Sequence, residues 1–191
     1  MIKQATLDLL DSELRRDYDK YNNYPYDDRL KLFSHSIRID PYWSIQMLKG
    51  VNEDAFKWSE PIKFSDNPKF EELIESNEKG LYLFIVRPNQ TILDLPQYVI
   101  YVGISGEKGS NRALKDRLSD YQYISQLKKR KALHKMLQLY YNEVYIRYSL
   151  FEGEAEDLES LETVLHEYFN PLCNTRDFIP ETKQAKRAWG H

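Results

Sequence analysis

Two short apolar runs in the middle of the chain are typical of β-strands. Residues 81–86 (LYLFIV) and 98–104 (YVIYVGI) are rich in β-branched and aromatic side chains. Because both runs are apolar at consecutive positions, each strand is expected to be covered on both faces. The eleven residues that join them contain Pro88 and Pro96 and are too many for a tight hairpin. We therefore expect a projecting loop between these two strands.

Helical spacing dominates the chain after the second run. Apolar residues recur every three or four positions in three segments: Leu114, Leu118 and Tyr121; Ile124, Leu127, Leu133, Leu137 and Tyr140; and Leu158, Leu161, Leu165 and Tyr168. Residues 144–151 (VYIRYSLF) alternate instead and predict a third strand. The predicted order is β-β-α-α-β-α. This order indicates an α/β chain of the α+β type, with a small three-stranded sheet flanked by helices.

Residues 1–78 carry a different pattern, which predicts a mostly helical N-terminal extension. Apolar residues near its start recur at helical spacing: Leu7, Leu10, Leu14 and Tyr18. We divide the chain into this N-terminal region, 1–78, whose role the sequence does not indicate, a core, 79–176, and a basic C-terminal tail, 177–191.

Composition excludes several classes of protein. The chain has 191 residues, 41% hydrophobic and 30% charged, which is ordinary for a globular domain with one appendage. Cys173 is the single cysteine, so no intrachain disulfide can form. Since no apolar run reaches the length of a signal peptide or a membrane span, we expect a cytoplasmic protein without membrane contact.

Two kinds of bound group are also disfavoured by the sequence. Cys173 and the four histidines lack the spacing of zinc ligands. No glycine-rich loop ending in Lys-Ser or Lys-Thr is present, so we expect no nucleotide cofactor.

Charge is distributed unevenly although the net charge is only −3. Residues 105–135 hold nine basic and three acidic side chains, whereas residues 152–167 hold seven acidic side chains and no Lys or Arg. Adjacent positive and negative surfaces can bind a phosphate polymer together with a metal ion. Charge alone favours the simpler interpretation that both segments are solvated helix faces.

Five side chains of the core stand out in chain order: Tyr82, Tyr101, Arg117, Glu162 and Asn174. Taken singly, each has an ordinary explanation as a core tyrosine, a surface cation, a helix-face carboxylate or a polar tail residue. Together they resemble the GIY-YIG nuclease family. The first motif matches GLY at 80–82, the second matches YVG at 101–103, and the helix arginine, metal-binding glutamate and terminal asparagine follow in the family's order. The resemblance covers about residues 80–176.

Three features depart from the family pattern. The connection between the two motifs is longer than the family's usual short hairpin. Tyr121 stands four residues after Arg117, where the family often has histidine. Residues 1–78 are not covered by the resemblance.

The resemblance implies an antiparallel sheet and a metal-dependent phosphodiesterase site. Glu162 would bind Mg²⁺ or Mn²⁺, with water and substrate phosphate as the other ligands. Arg117 would stabilise charge on the phosphoryl oxygens. A tyrosine has an ordinary pKa near 10, so it is a poor base unless a nearby cation lowers that value. Of the two tyrosines we favour Tyr82 as the base and Tyr101 as its partner in orienting water.

Two further residues of the core are assigned supporting roles near the site. Gly103 would let the backbone approach the site closely, although a turn at the strand end explains it equally well. Asn174 would tie the tail to the core.

Basic residues on the predicted helices are candidates for contacts with the nucleic-acid backbone: Lys115, Lys128, Lys129, Arg130 and Lys131. The alternative is a solvated helix face. The resemblance, together with these basic residues, implies a DNA endonuclease of the restriction or defence type, acting as a homodimer if both strands are cut. A repair or mobile-element nuclease and a non-cleaving nucleic-acid-binding module of the same fold are the alternatives.

Overall fold

A computed structural model describes residues 56–75, 77–87, 97–174, 178, 180 and 182–184. The predicted helix at the N-terminus, most of the projecting loop and most of the basic tail lie outside these residues.

The centre of the molecule is an open antiparallel sheet of four strands. They are β1 (Ile62–Lys63), β2 (Gly80–Val86), β3 (Tyr98–Ser105) and β4 (Val144–Leu150), and their order in the sheet is β1-β4-β2-β3. β2, β3 and β4 are the three strands that the sequence predicts. β1 is an addition to that prediction; it pairs with β4, where Ile62 faces Ile146. The chain is therefore an α+β protein with a four-stranded sheet.

The pairing of β2 with β3 determines which residues share a face. Tyr82 lies opposite Gly103, and Phe84 lies opposite Tyr101. The register then shifts between Phe84 and Ile85, so that Ile85 faces Val99. Side chains alternate between the two faces of a strand, and the register therefore places the tyrosines of both sequence motifs on one side of the sheet.

Helices cover that side of the sheet. They are α1 (Phe70–Leu73), α2 (Leu114–Asp120), α3 (Ile124–Leu127) and α4 (Lys131–Leu139), together with 3₁₀ turns at Phe64–Asp66 and Tyr141–Glu143. The pattern predicts one helix over 124–140, whereas the structure divides it into α3 and α4. The division falls at Arg130, whose φ of −111° and ψ of 72° are not helical.

The described part of the N-terminal region packs into the same core. Phe64, Phe70 and Ile74 are buried and belong to the cluster that contains Tyr82 and Phe84. Burying these three side chains removes a large apolar area from water, which is the main stabilising contribution to the fold. The core thus includes residues on the N-terminal side of position 79.

One long helix, α5 (Ala155–Phe169), covers the opposite side of the sheet. The buried side chains of this second layer are aliphatic: Leu81, Leu83, Ile85, Val102, Ile104, Leu158 and Leu165. Two covered faces explain why the sequence of β2 is apolar at every position. None of the helices within the described residues has the length and apolarity needed to cross a membrane.

Candidate active site

Gly103 leaves the space that Tyr82 occupies. A Cβ atom placed on Gly103 would lie 2.5 Å from both Cζ and Oη of Tyr82, closer than such atoms approach one another in proteins. Any larger residue at position 103 would displace the Tyr82 ring. The sequence offers close backbone approach or a turn as the reason for this glycine, and the structure adds the packing of Tyr82 against the neighbouring strand.

Three tyrosine rings form a cluster on the helix-covered side of the sheet, and we call Tyr82, Tyr101 and Tyr121 the tyrosine cluster. Their ring centroids are 5.6–6.2 Å apart, and the Phe84 ring packs edge-on against all three. Oη of Tyr82 is 2.6 Å from Oη of Tyr121, a buried hydrogen bond that either hydroxyl can donate. Two phenol groups are thereby held within the core.

Arg117 joins the cluster from α2. Its Nε donates a hydrogen bond to Oη of Tyr82 at 3.3 Å. Arg117 and Tyr121 are four residues apart and therefore lie on the same face at the end of α2. Leu114 and Leu118 on this helix are fully buried and fix its position against the sheet. The structure thus brings together Tyr82, Tyr101 and Arg117, three of the residues on which the resemblance depends.

Burial controls the ionisation of this cluster. It raises the pKa of Tyr82 above the ordinary value, and although Arg117 lowers the pKa, its effect is the smaller one. Burial likewise raises the pKa of Tyr121 well above the ordinary value. Both phenols are therefore neutral at neutral pH. A tyrosine base would need a nearby cation to lower its pKa. At Tyr82 the effect of burial on the pKa is larger than that of Arg117.

Glu162 lies on α5, with 24% of its side chain exposed. One turn later, Nε2 of His166 is 4.0 Å from Oε1 of Glu162. Whether these two groups form an ion pair depends on the protonation of His166, which its other contacts decide.

Asn174 fixes the state of His166. Oδ1 of Asn174 accepts a hydrogen bond from the Val102 N–H, so its Nδ2 must be the atom that donates to Nε2 of His166 at 2.8 Å. Nε2 therefore carries no proton, and we assign the neutral tautomer with its proton on Nδ1. A neutral imidazole does not cancel the charge of Glu162.

The same segment also covers the edge strand of the sheet. Nδ2 of Asn174 donates to the Val102 carbonyl at 2.9 Å, and the Cys173 N–H donates to the Ile100 carbonyl at 2.8 Å. These bonds satisfy backbone groups on the outer edge of β3, on either side of Tyr101. They also connect the helix that carries Glu162 to the strand that carries Tyr101.

A metal ion would have to use Glu162 with few other protein ligands. Within the residues that the structure describes, no three His, Cys, Asp or Glu side chains are grouped to hold a metal. This donor set does not fit a closed zinc site, which needs about four protein ligands. It fits Mg²⁺ or Mn²⁺, because such ions are often held by one or two carboxylates, with water and substrate phosphate completing the shell.

The predicted DNA-contacting residues lie in three different environments. Lys128, Lys129 and Lys131 are exposed. Lys115 is half-buried, and its Nζ is 3.5 Å from the Glu75 carbonyl oxygen. Arg130 instead turns inward: it is half-buried, and its guanidinium carbon lies 4.9 Å from the centroid of the Tyr121 ring. Arg130 therefore belongs beside the tyrosine cluster rather than with the three exposed lysines.

Two residues of the site have no role that the sequence alone assigns. Tyr121 stands out in the sequence only as a departure from the family, although its spacing from Arg117 places both on one helix face. His166 has the sequence pattern of a packing residue, and its link to Asn174 depends on a chain reversal that no local pattern indicates.

Searches of protein-family models, curated proteins and solved structures find no match to the chain. The family resemblance therefore stays a prediction from the residues.

Proposed function

We propose that the protein is a metal-dependent DNA endonuclease of the GIY-YIG type, which hydrolyses phosphodiester bonds. The observation that carries the proposal is the hydrogen-bonded set of Tyr82, Tyr121 and Arg117, beside Tyr101. It holds a guanidinium group and several hydroxyls at one place on the sheet. A phosphodiesterase needs such a combination, because negative charge develops on the phosphoryl oxygens while a water molecule attacks.

Arg117 is the group to which we assign phosphate binding. Its guanidinium is half-buried, and it pairs with no carboxylate among the residues described. The nearby Arg112 differs, since its Nη2 is 2.6 Å from Oδ2 of Asp120. An arginine without a carboxylate partner can offer two parallel N–H donors to a phosphate.

The two motif tyrosines receive different roles from those that the sequence favours. Tyr82 is completely buried, its pKa is raised by burial, and its hydroxyl accepts from Arg117. We therefore assign Tyr82 as a positioning residue that holds Arg117. Tyr101 is half-buried, so its hydroxyl is the better candidate for contact with the attacking water.

Glu162 is the residue to which we assign the metal ion. Its carboxylate is partly exposed and is not neutralised by His166, whose Nε2 accepts from Asn174. When bound, Mg²⁺ or Mn²⁺ would supply positive charge to the phosphate and its leaving oxygen. His166 and Asn174 connect the helix that carries Glu162 to β3, through hydrogen bonds to the Val102 backbone.

The biological setting is a separate part of the proposal. One small core and an extra N-terminal region suit a restriction or defence enzyme, and two copies of the chain would cut two strands. A repair or mobile-element nuclease fits the same site. A non-cleaving nucleic-acid-binding module is the candidate from another class, and it would not require a metal ligand at position 162.

Incubation of the full chain with nucleic acids tests the proposal. The substrates are supercoiled plasmid, linear duplex, single-stranded DNA and RNA, each with Mg²⁺, with Mn²⁺ and with EDTA. We expect cleavage of DNA that requires the metal and is lost in Arg117→Gln. Binding without cleavage of any substrate in either metal would favour the non-cleaving module instead. Cleavage that persists in EDTA would contradict the metal requirement.

A further inference from the structure

A second arginine lies against the tyrosine cluster and comes from the segment between α3 and α4. The interruption between these helices places Arg130 at a non-helical position, and its guanidinium rests 4.9 Å from the Tyr121 ring centroid. The Tyr121 hydroxyl is hydrogen-bonded to Tyr82, which in turn accepts from Arg117. One buried pair of phenols is thus contacted by two arginines that are 13 residues apart in the chain.

The charges of the two arginines are not balanced in the described part of the molecule. Neither Arg117 nor Arg130 forms an ion pair with a carboxylate among the described residues, whereas Arg112 and Lys108 each do. The phenols that they contact are neutral, because burial raises the pKa of Tyr82 and of Tyr121. Two half-buried like charges near one another destabilise a protein unless an anion joins them.

Packing of Arg130 on an aromatic ring does not by itself explain this arrangement. Arg87 lies over the Tyr145 ring at 5.8 Å near the end of β2, which shows what such a contact looks like away from the cluster. A cation–π contact of this kind contributes little and needs no second guanidinium. The feature that distinguishes Arg130 is its shared contact with the phenol pair that binds Arg117.

We propose that Arg130 is a second phosphate-binding residue, so that Arg117 and Arg130 together hold the phosphodiester backbone over the tyrosine cluster. This proposal rests on the proposed function for the identity of the ligand, a nucleic-acid phosphate. Arg130 thereby differs from Lys128, Lys129 and Lys131, which are exposed and would contact phosphates outside the reaction centre. A guanidinium presents a planar pair of donors that lysine lacks, so Arg130→Lys keeps the positive charge but loses this geometry.

A measurement without DNA, metal or turnover tests the phosphate site. Thermal unfolding of the full chain is followed in sodium pyrophosphate and in sodium chloride of equal ionic strength, for wild type, Arg117→Gln, Arg130→Gln and the control Arg87→Gln. We expect pyrophosphate to raise the wild-type Tm by about 3–6 °C at ten times its Kd. The rise is expected to persist in Arg87→Gln and to fall by at least half in the other two variants. An equal rise in Arg130→Gln and wild type would overturn the proposal.

A second measurement separates binding geometry from charge and from folding. Cleavage of a DNA duplex is compared for wild type, Arg130→Lys and Arg130→Gln, with circular dichroism as the check on folding. We expect kcat/KM to fall about 10-fold or more in both variants, since lysine cannot replace a two-point contact. Where Arg130→Gln does not fold, Arg130→Lys decides. Full activity of Arg130→Lys would show that only a charge is needed and would overturn the two-arginine site.

The two proposals fail in different ways. If no nucleic acid is cleaved, but pyrophosphate stabilises the protein through Arg117 and Arg130, the phosphate site stands and the nuclease assignment falls. If DNA is cleaved and neither pyrophosphate stabilisation nor kcat/KM depends on Arg130, the nuclease stands and the second arginine site falls.

Discussion

The two faces of β2 bury side chains of different chemistry although they belong to one seven-residue strand. Leu81, Leu83 and Ile85 point to the layer under α5, where the fully buried hydrophobic side chains are aliphatic and aromatic rings pack only at partly buried positions. Tyr82 and Phe84 point to the layer under the shorter helices, where phenol hydroxyls and guanidinium groups are buried with the rings.

The difference between the two layers separates side chains that stabilise the fold from side chains to which we assign function. An aliphatic layer gains free energy from burial with no polar group to satisfy. The aromatic layer encloses hydroxyls and positive charge, which are costly to bury without full compensation. Packing alone would be served by phenylalanine at 82 and 121. Side chains that work against stability are therefore the ones to which we assign function.

The largest change in stability is expected on the aliphatic face. Leu81 is fully buried, and Leu81→Ala should reduce the free energy of unfolding by roughly 2–5 kcal/mol, because less apolar area is buried and a cavity remains. Cleavage per folded molecule should persist, because Leu81 points away from the tyrosine cluster. Urea unfolding and active-site titration measure both quantities. A specific loss of turnover in folded Leu81→Ala would remove the distinction between the faces.

A large change in rate with little change in stability is expected on the aromatic face. Arg117→Gln should lower kcat by about 10²–10³-fold, the usual effect of removing one donor that stabilises transition-state charge. DNA affinity should change much less than the rate, since Arg117 binds one phosphate among many on the DNA and its interaction becomes stronger in the transition state. Single-turnover kinetics and an equilibrium binding titration give the two values. The control is Arg147→Gln, whose Nε bonds the Ser59 carbonyl on another part of the sheet. An effect confined to affinity would count against the role of Arg117.

Alkaline pH should destabilise the aromatic face in particular. The unfolded chain releases phenolic protons near pH 10, while folded Tyr82 and Tyr121 retain them because burial raises their pKa. Stability is therefore present below pH 10 and falls as the pH rises above it. In Tyr121→Phe the fall should be shallower, by up to about 1.4 kcal/mol per pH unit. Tyr123→Phe, at an exposed position, is the control. Equal slopes for Tyr121→Phe and wild type would contradict the pKa direction.

The smallest effect is expected for the three exposed lysines. Replacing Lys128, Lys129 and Lys131 together with Gln should weaken binding by a similar factor on every DNA sequence. The slope of log affinity against log salt should flatten by about one unit for each phosphate that the variant no longer binds. Cleavage at saturating enzyme should survive. Binding titrations at several salt concentrations measure the slope. An unchanged slope would show that these three lysines do not contact the DNA backbone.

Most of the core fold could be predicted from local patterns. β2, β3 and β4 follow from apolar or alternating runs, and α5 follows from apolar residues at helical spacing. β1 could not be predicted, because a strand of two residues is too short to show an alternating pattern. It forms only by pairing with β4. The break before α4 could not be predicted either, since the apolar residues on its two sides keep nearly helical spacing.

For the candidate site, the sequence could predict that certain motif residues lie together, but not their burial or their hydrogen bonds. Strand pairing brings Tyr82 and Tyr101 together, and helical spacing adds Arg117, so order along the chain sufficed for these three. The direction of the Tyr82 pKa depends on burial by distant segments, which no motif specifies. Arg130 is equivalent to its lysine neighbours in the sequence, because the inward turn of its side chain depends on the helix break.

The central claim of the proposed function is that Glu162 binds the metal ion and Arg117 binds the phosphate. Single-turnover cleavage of a DNA duplex across a Mg²⁺ titration tests it most directly, for wild type, Glu162→Gln and the control Glu156→Gln on the first turn of α5. We expect Glu162→Gln to bind the duplex nearly as wild type does but to cleave it about 10³-fold more slowly or not at all. Glu156→Gln should keep wild-type rates. Unchanged turnover of Glu162→Gln at saturating Mg²⁺ would contradict the claim.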